Sequence, residues 1–125
     1  PSGADKKGGS KMIEFKMKWY KDLYVGESIS HKVDKIKWKI NHNAGTLSIY
    51  IIALASNPQN MLDIIPAREL LQKAYPKKEM RIIGLAGSYN EAIELVRKIV
   101  EETYNVTGNA NVRYYLKNIR GGNKD

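Results

Sequence analysis

Residues 46–55 read TLSIYIIALA, and this stretch decides the fold. Seven consecutive apolar residues fill positions 49–55, and three of them are isoleucine, whose β-branched side chain favours extended backbone. A strand that is apolar at every position is typical of a central strand covered on both faces. The run is much shorter than the roughly 20 residues needed to cross a bilayer. The sequence therefore predicts a buried strand and no membrane span.

On the N-terminal side of this strand, apolar and charged residues alternate in two segments, 13–19 and 35–40. Alternation with a period of two predicts strands with one buried face. In the second segment lysines separate Ile36, Trp38 and Ile40. The turn-prone residues NHNAG follow at 41–45, so we expect a β-hairpin that joins 35–40 to the central strand.

On the C-terminal side, residues 61–65 are apolar enough for a short fourth strand. Pro66 suits the first turn of a helix, which would end near residue 74. A helix over 60–74 is the alternative, but Pro66 would then lie inside it.

Residues 80–86 (MRIIGLA) predict a further strand, and the longest helix follows it. Ser88 and Glu91 have the spacing of a capping box at its start, and Gly108 is its natural end. The 3.6-residue period predicts a buried stripe made of Ala92, Leu95, Val96, Ile99, Val100 and Tyr104. A last helix over 110–119 would bury Val112, Tyr115, Leu116 and Ile119.

The predicted order of elements is β-β-β-(β)-α-β-α-α, and short connections between consecutive strands favour antiparallel pairing. We therefore predict one α+β domain over residues 12–120, with a mostly antiparallel sheet of three to five strands and helices packed on one face. Residues 1–11 (PSGADKKGGSK) predict a disordered leader or a remnant of cloning, and residues 121–125 a flexible tail.

The chain carries 21 basic and 13 acidic residues, and the excess is uneven. Residues 1–40 have a net charge of +5, residues 41–112 are neutral, and residues 113–125 have +3. Basic ends favour anionic partners, although solvated tails have the same composition. The absence of cysteine excludes disulfides and thiolate metal sites, and we expect a cytoplasmic protein.

The turn between the strand at 80–86 and the long helix is one candidate site. Gly84, Gly87 and Ser88 precede the helix, where backbone N–H groups and the helix dipole favour an anion. The segment lacks the GK[ST] ending of a phosphate loop and the GxGxxG pattern. The alternative is a tight turn with Ser88 as the helix cap.

Lysines at alternate positions of the two N-terminal segments are the other candidate site. If the segments are neighbouring strands, one face carries Lys16, Lys18, Lys35, Lys37 and Lys39. Such a face could follow a nucleic-acid backbone, but the aromatic residues that would stack on bases fall on the opposite face. The alternative is a solvated face that prevents edge-to-edge aggregation.

No catalytic motif is present, and we predict no catalytic residue, metal or cofactor. His31 and His42 are the only histidines, and no carboxylate pattern joins them into a metal site. Whether the chain is an enzyme stays open, with a non-catalytic role favoured.

Four segments together resemble a family of small uncharacterised cytoplasmic proteins from anaerobic Gram-positive bacteria, often those of the gut. The segments are KDLYVG at 21–26, LASNP at 54–58, LDII at 62–65, and IGLA at 83–86 followed by Glu91 and Ala92. The resemblance covers about three quarters of the chain, between Lys21 and Leu116. It implies a bacterial cytoplasmic origin and assigns no activity and no residue roles.

The sequence thus favours a small binding or interaction module with an unidentified partner, which could be a second copy of the chain. The first alternative is a nucleic-acid-binding protein that uses the lysine face. The second is a small enzyme or anion binder that uses the turn at 84–88.

Overall fold

The computed structural model describes residues 18–42, 47–54, 62–70 and 81–120. The predicted leader and tail, together with most of the first predicted strand, lie outside these residues. The elements follow one another as β1 (Lys18–Val25), a 3-10 helix (Glu27–Lys32), α1 (Val33–Asn41), β2 (Tyr50–Leu54), β3 (Leu62–Pro66), α2 (Ala67–Leu70), β4 (Arg81–Ala86), α3 (Tyr89–Thr107), α4 (Val112–Tyr115) and a π-helical turn (Leu116–Arg120).

The four described strands form one mixed sheet in the order β1-β4-β2-β3. β2 is antiparallel to both of its neighbours, and Ile52 pairs with Gly84 of β4 and with Ile64 of β3. The α+β class and the central position of β2 are confirmed. The prediction of antiparallel pairing is wrong for β1, because this strand runs parallel to β4.

Helices cover both faces of the sheet, so the prediction that they pack on one face is wrong. The 3-10 helix and α1 bury Ile29, Ile36 and Ile40 against one face. α3 and α4 bury Leu95 and Val112, among other residues, against the other. Since β2 and β4 are apolar at nearly every position, both of their faces need cover to leave water.

Residues 35–40 form part of a helix, so the strand and the hairpin predicted for them are wrong. Ile36 and Ile40 are four residues apart and are both buried, as on one side of a helix. Trp38, which the period of two places with them, is 55% exposed. Lysine is a good helix former, which favours a helix over a strand in a segment with three lysines.

α3 begins and ends where its capping residues predict. The Ser88 hydroxyl accepts the Glu91 N–H at 3.1 Å, and Gly108 ends the helix with φ = +82°, a conformation that favours glycine. Ala92, Leu95 and Ile99 are buried as predicted, and Val96 and Val100 are partly buried. Tyr104 is 60% exposed, and Thr103 is buried in its place. The Thr103 hydroxyl donates to the Ile99 carbonyl at 2.8 Å, which satisfies it inside the core.

The C-terminal segment is helical from Val112, as predicted, but Ile119 is 46% exposed rather than buried. The chain changes to a π-helical turn at Leu116, which rotates Ile119 away from the α-helical stripe. None of the helices formed by the described residues has the length and apolar character to cross a bilayer.

Candidate functional site

The 3-10 helix and α1 border a groove on their face of the sheet. It lies between these helices, residues 47–49 ahead of β2, and Gly87 after β4, and its volume is about 290 Å³. Ile29, Ile36, Leu47 and Ile49 supply its apolar lining among the described residues. Because Ile29, Ile36 and Ile49 also belong to the core, the inner wall of the groove is fixed by the packing of the fold.

Three lysines line the groove. Lys32 ends the 3-10 helix, and Lys35 and Lys39 follow on α1 at intervals of three and four residues, which places all three on one side of the helical segment. No carboxylate among the described residues forms an ion pair with any of them. Asp34 lies on the same helix and is exposed.

This arrangement carries a cost in folding free energy. Like charges three or four residues apart on a helix destabilise it by about 0.2–0.5 kcal/mol per pair. Among the described residues, the rest of the polar lining consists of Ser28 and Ser48, and the Ser48 hydroxyl is a good hydrogen-bond donor for an oxyanion. The groove therefore combines positive charge, a hydroxyl group and a rigid apolar wall.

The turn from β4 into α3 holds an anion of its own, the carboxylate of Glu91. The Gly87 N–H donates to Glu91 Oε1 at 2.6 Å, the Ser28 hydroxyl donates to the same oxygen at 2.7 Å, and the Ser28 N–H donates to Oε2 at 3.2 Å. These bonds tie the start of α3 to the 3-10 helix. The Gly87 N–H, which we predicted to bind an external anion, therefore already donates to the Glu91 carboxylate.

Two glycines make room for this carboxylate. A Cβ at Gly26 would lie 2.3 Å from Glu91 Cδ, and one at Gly87 would lie 2.3 Å from Ser28 Oγ. The Gly87 N–H above all, and then the Ser28 hydroxyl, hold the pKa of Glu91 below its ordinary value. The negative charge of Glu91 is thus retained at neutral pH and engaged by these donors.

The other two residues of the predicted anion turn have structural positions. Gly84 is buried within β4, and a Cβ there would lie 3.2 Å from the Tyr24 carbonyl oxygen and 3.3 Å from Ile52 Cδ1. Ser88 is exposed and caps α3. Of the three predicted residues, Gly87 alone lines the groove.

The predicted lysine face is divided by the structure. Lys35 and Lys39 line the groove, whereas the Lys37 ammonium lies 5.3 Å from the centre of the Trp19 ring on the other flank of α1. Lys18 alternates with Trp19 along β1 and so faces the side of the sheet opposite α1. Lys16 lies outside the described residues.

Two candidates that the sequence kept apart thus meet in one groove, which Lys35 and Lys39 share with Gly87. Sequence reasoning missed Lys32, Ser28 and Ser48. The signal for Lys32 was the i, i+3, i+7 spacing of three lysines, which reads as one side of a helix.

A second polar cluster lies on the opposite face of the sheet, where the C-terminal turn meets β1. Arg120 Nη1 donates to the Asp22 carbonyl at 2.7 Å, and Arg120 Nε lies 3.2 Å from Glu102 Oε2. The Tyr115 hydroxyl donates to the same carboxylate oxygen at 2.5 Å. Because β1 is an edge strand, these contacts anchor the C-terminal turn against an edge of the sheet.

Tyr24 lies at the centre of this second cluster. The Arg120 guanidinium is 4.0 Å from the centre of its ring, and its buried hydroxyl has no hydrogen-bond partner among the described residues. Burial raises the pKa of Tyr24 above its ordinary value; Arg120 opposes the rise and the Glu102 carboxylate adds to it. Tyr24 is therefore neutral at physiological pH, and the cluster serves mainly to hold the C-terminal segment in place.

Within the described ranges, no three His, Asp or Glu side chains come close enough to hold a metal ion. A scan against protein-family models, a search of curated proteins and a search of solved structures each find no match to this chain.

Proposed function

We propose that this chain is a small binding module that takes an anionic ligand in the groove beside α1. The observation that carries the proposal is the row Lys32, Lys35 and Lys39, which lines a groove without a carboxylate partner among the described residues. A bound anion would relieve the repulsion within the row, which otherwise only destabilises the helix.

Polyphosphate is a suitable probe, because it offers closely spaced negative charges and no other recognition feature. We expect the chain to bind inorganic tripolyphosphate at low ionic strength, measured by isothermal titration calorimetry. The affinity should fall as salt is raised, since binding of a polyanion to lysines depends on Coulomb attraction that salt screens.

The decisive variant is Lys35→Glu combined with Lys39→Glu, which reverses two charges of the groove. We expect at least a tenfold loss of affinity. The matched control is Lys98→Glu combined with Lys117→Glu, which changes the net charge equally at exposed positions on α3 and the C-terminal turn. An equal loss in both variants, or no binding by the unmodified chain at low salt, would remove the proposal.

A further inference from the structure

Beside the lysine row, α1 presents an exposed aromatic pair. The Trp38 and His42 rings stack with centroids 4.2 Å apart and planes 20° apart. His42 is held in this position because its Nδ1–H donates to the Trp38 carbonyl at 2.8 Å. Although one neighbour stacks on it, Trp38 remains 55% exposed, which leaves an indole surface open to a further ring.

The pair adjoins the lysine row on the helix surface. Trp38 is three residues from Lys35, and His42 is three residues from Lys39, so each aromatic ring is a surface neighbour of a groove lysine. From Lys32 to Lys39 a helix rises about 10 Å. A row of this length can contact consecutive phosphates of one nucleic-acid strand.

From this juxtaposition we infer that the ligand of the groove is a single-stranded nucleic acid, whose phosphates lie along Lys32, Lys35 and Lys39 while an unpaired base stacks on Trp38. The inference rests on the proposed function and narrows it to one ligand class. A ligand made only of phosphate gains nothing from an exposed indole, whereas a base has a π-face that stacks on it. A duplex cannot offer such a face along its length, because its bases already stack on one another.

The predicted strands placed the aromatic residues and the lysines on opposite faces, which argued against nucleic-acid binding. The helical conformation of residues 33–41 removes that objection, since it brings Trp38 to the solvent-exposed side of α1 beside Lys35. Trp19 stays out of this surface; its indole N–H donates to Asn41 Oδ1 at 2.9 Å and its ring packs against the core.

The test measures three affinities at low salt by fluorescence anisotropy. The ligands are a labelled oligothymidylate of twelve nucleotides, a labelled duplex of the same length, and inorganic polyphosphate as an unlabelled competitor. We expect Trp38→Ala to lower the affinity for the single strand about tenfold, which is within the range known for base stacking on an aromatic side chain. The affinity for polyphosphate should stay unchanged. The matched control is Tyr104→Ala, which removes another exposed aromatic side chain from α3 and should change neither affinity. Circular dichroism verifies that α1 and the fold persist in both variants.

The outcomes separate the inference from the function on which it rests. If Trp38→Ala leaves the single strand as tightly bound as before, or if the duplex binds as well as the single strand, the inference is overturned while binding of polyphosphate still supports the groove. If no ligand binds even at low salt, both fail. Selective loss of the single strand in Trp38→Ala alone supports the inference.

Discussion

Replacing Glu91 by glutamine should destabilise the fold markedly, because this side chain joins the start of α3 to the 3-10 helix. Glutamine keeps the shape but loses the charge. Its carbonyl oxygen can still accept from the Gly87 N–H and the Ser28 hydroxyl, though more weakly than a carboxylate, and its N–H₂ group cannot accept from the Ser28 N–H. A hydrogen bond to a charged group contributes about 1.5–3 kcal/mol. Since the carboxylate is partly open to solvent and the three bonds are not additive, we expect a total loss of about 2–3 kcal/mol.

For a domain of this size such a loss lowers the melting temperature by roughly 8–12 °C. Differential scanning calorimetry and urea unfolding at pH 7 would measure it. The matched control is Glu94→Gln, one turn further along α3, where the carboxylate is exposed and pairs with Arg97 at 3.8 Å. That change should cost less than about 0.5 kcal/mol, as exposed ion pairs contribute little.

The pH dependence gives the same reasoning a second, independent test. The pKa of Glu91 is lowered in the folded state by the Gly87 N–H and the Ser28 hydroxyl. Its contribution to stability is therefore present above the unfolded pKa of about 4.3 and is lost as the pH falls through the lower, folded value. The difference between the unmodified chain and Glu91→Gln should shrink in acid; equal melting temperatures at pH 7 would refute the structural role of this carboxylate.

Three further predictions concern the cluster at the C-terminal turn. Arg120→Ala should lower the free energy of unfolding by about 2 kcal/mol, measured by urea titration, because it removes an ion pair to Glu102 and a hydrogen bond to the edge of the sheet. The control Arg97→Ala, on the surface of α3, should lower it little. Tyr24→Phe should raise the stability by up to about 1 kcal/mol, since it deletes a buried hydroxyl without a described partner, and a clear loss would show that the hydroxyl is bonded. Burial above all, and the bond to Glu102, raise the pKa of Tyr115 to about 12. The neutral Tyr115 hydroxyl therefore stabilises the fold below pH 10, and this contribution is lost between about pH 10 and 12. Ultraviolet titration of the tyrosinates, together with unfolding measured at alkaline pH, would test this.

Much of the fold follows from local sequence patterns. The apolar run at 49–55 indicates the central strand, and Ser88 and Gly108 mark the ends of α3 correctly. Those signals are reliable because the burial of a whole strand and the capping of a helix are decided by residues close together in the chain. Because β2 is apolar at every position, the sequence already implied that both of its faces are covered. The prediction of helices on one face only was inconsistent with this apolar run.

The errors arise where non-local packing decides the outcome. Over six residues, a strand and a helix both place Ile36 and Ile40 on the buried face. The two conformations differ only in Trp38, which a strand would bury with them and the helix exposes. The parallel pairing of β1 with β4 joins segments more than 50 residues apart, which no local pattern specifies. The groove was missed for the same reason, since it is formed by lysines that lie on one side of α1 only once the segment is helical.

The most direct test of the groove is a heteronuclear NMR titration of the isotope-labelled chain with tripolyphosphate. Carbon chemical shifts should first report helix, not strand, over residues 33–41. The amides that then respond should concentrate at Ser28, Ser48, Gly87 and the lysine row, while the second half of α3 stays unchanged. Extended backbone over 33–41, or a response centred on the basic C-terminal end, would contradict the account.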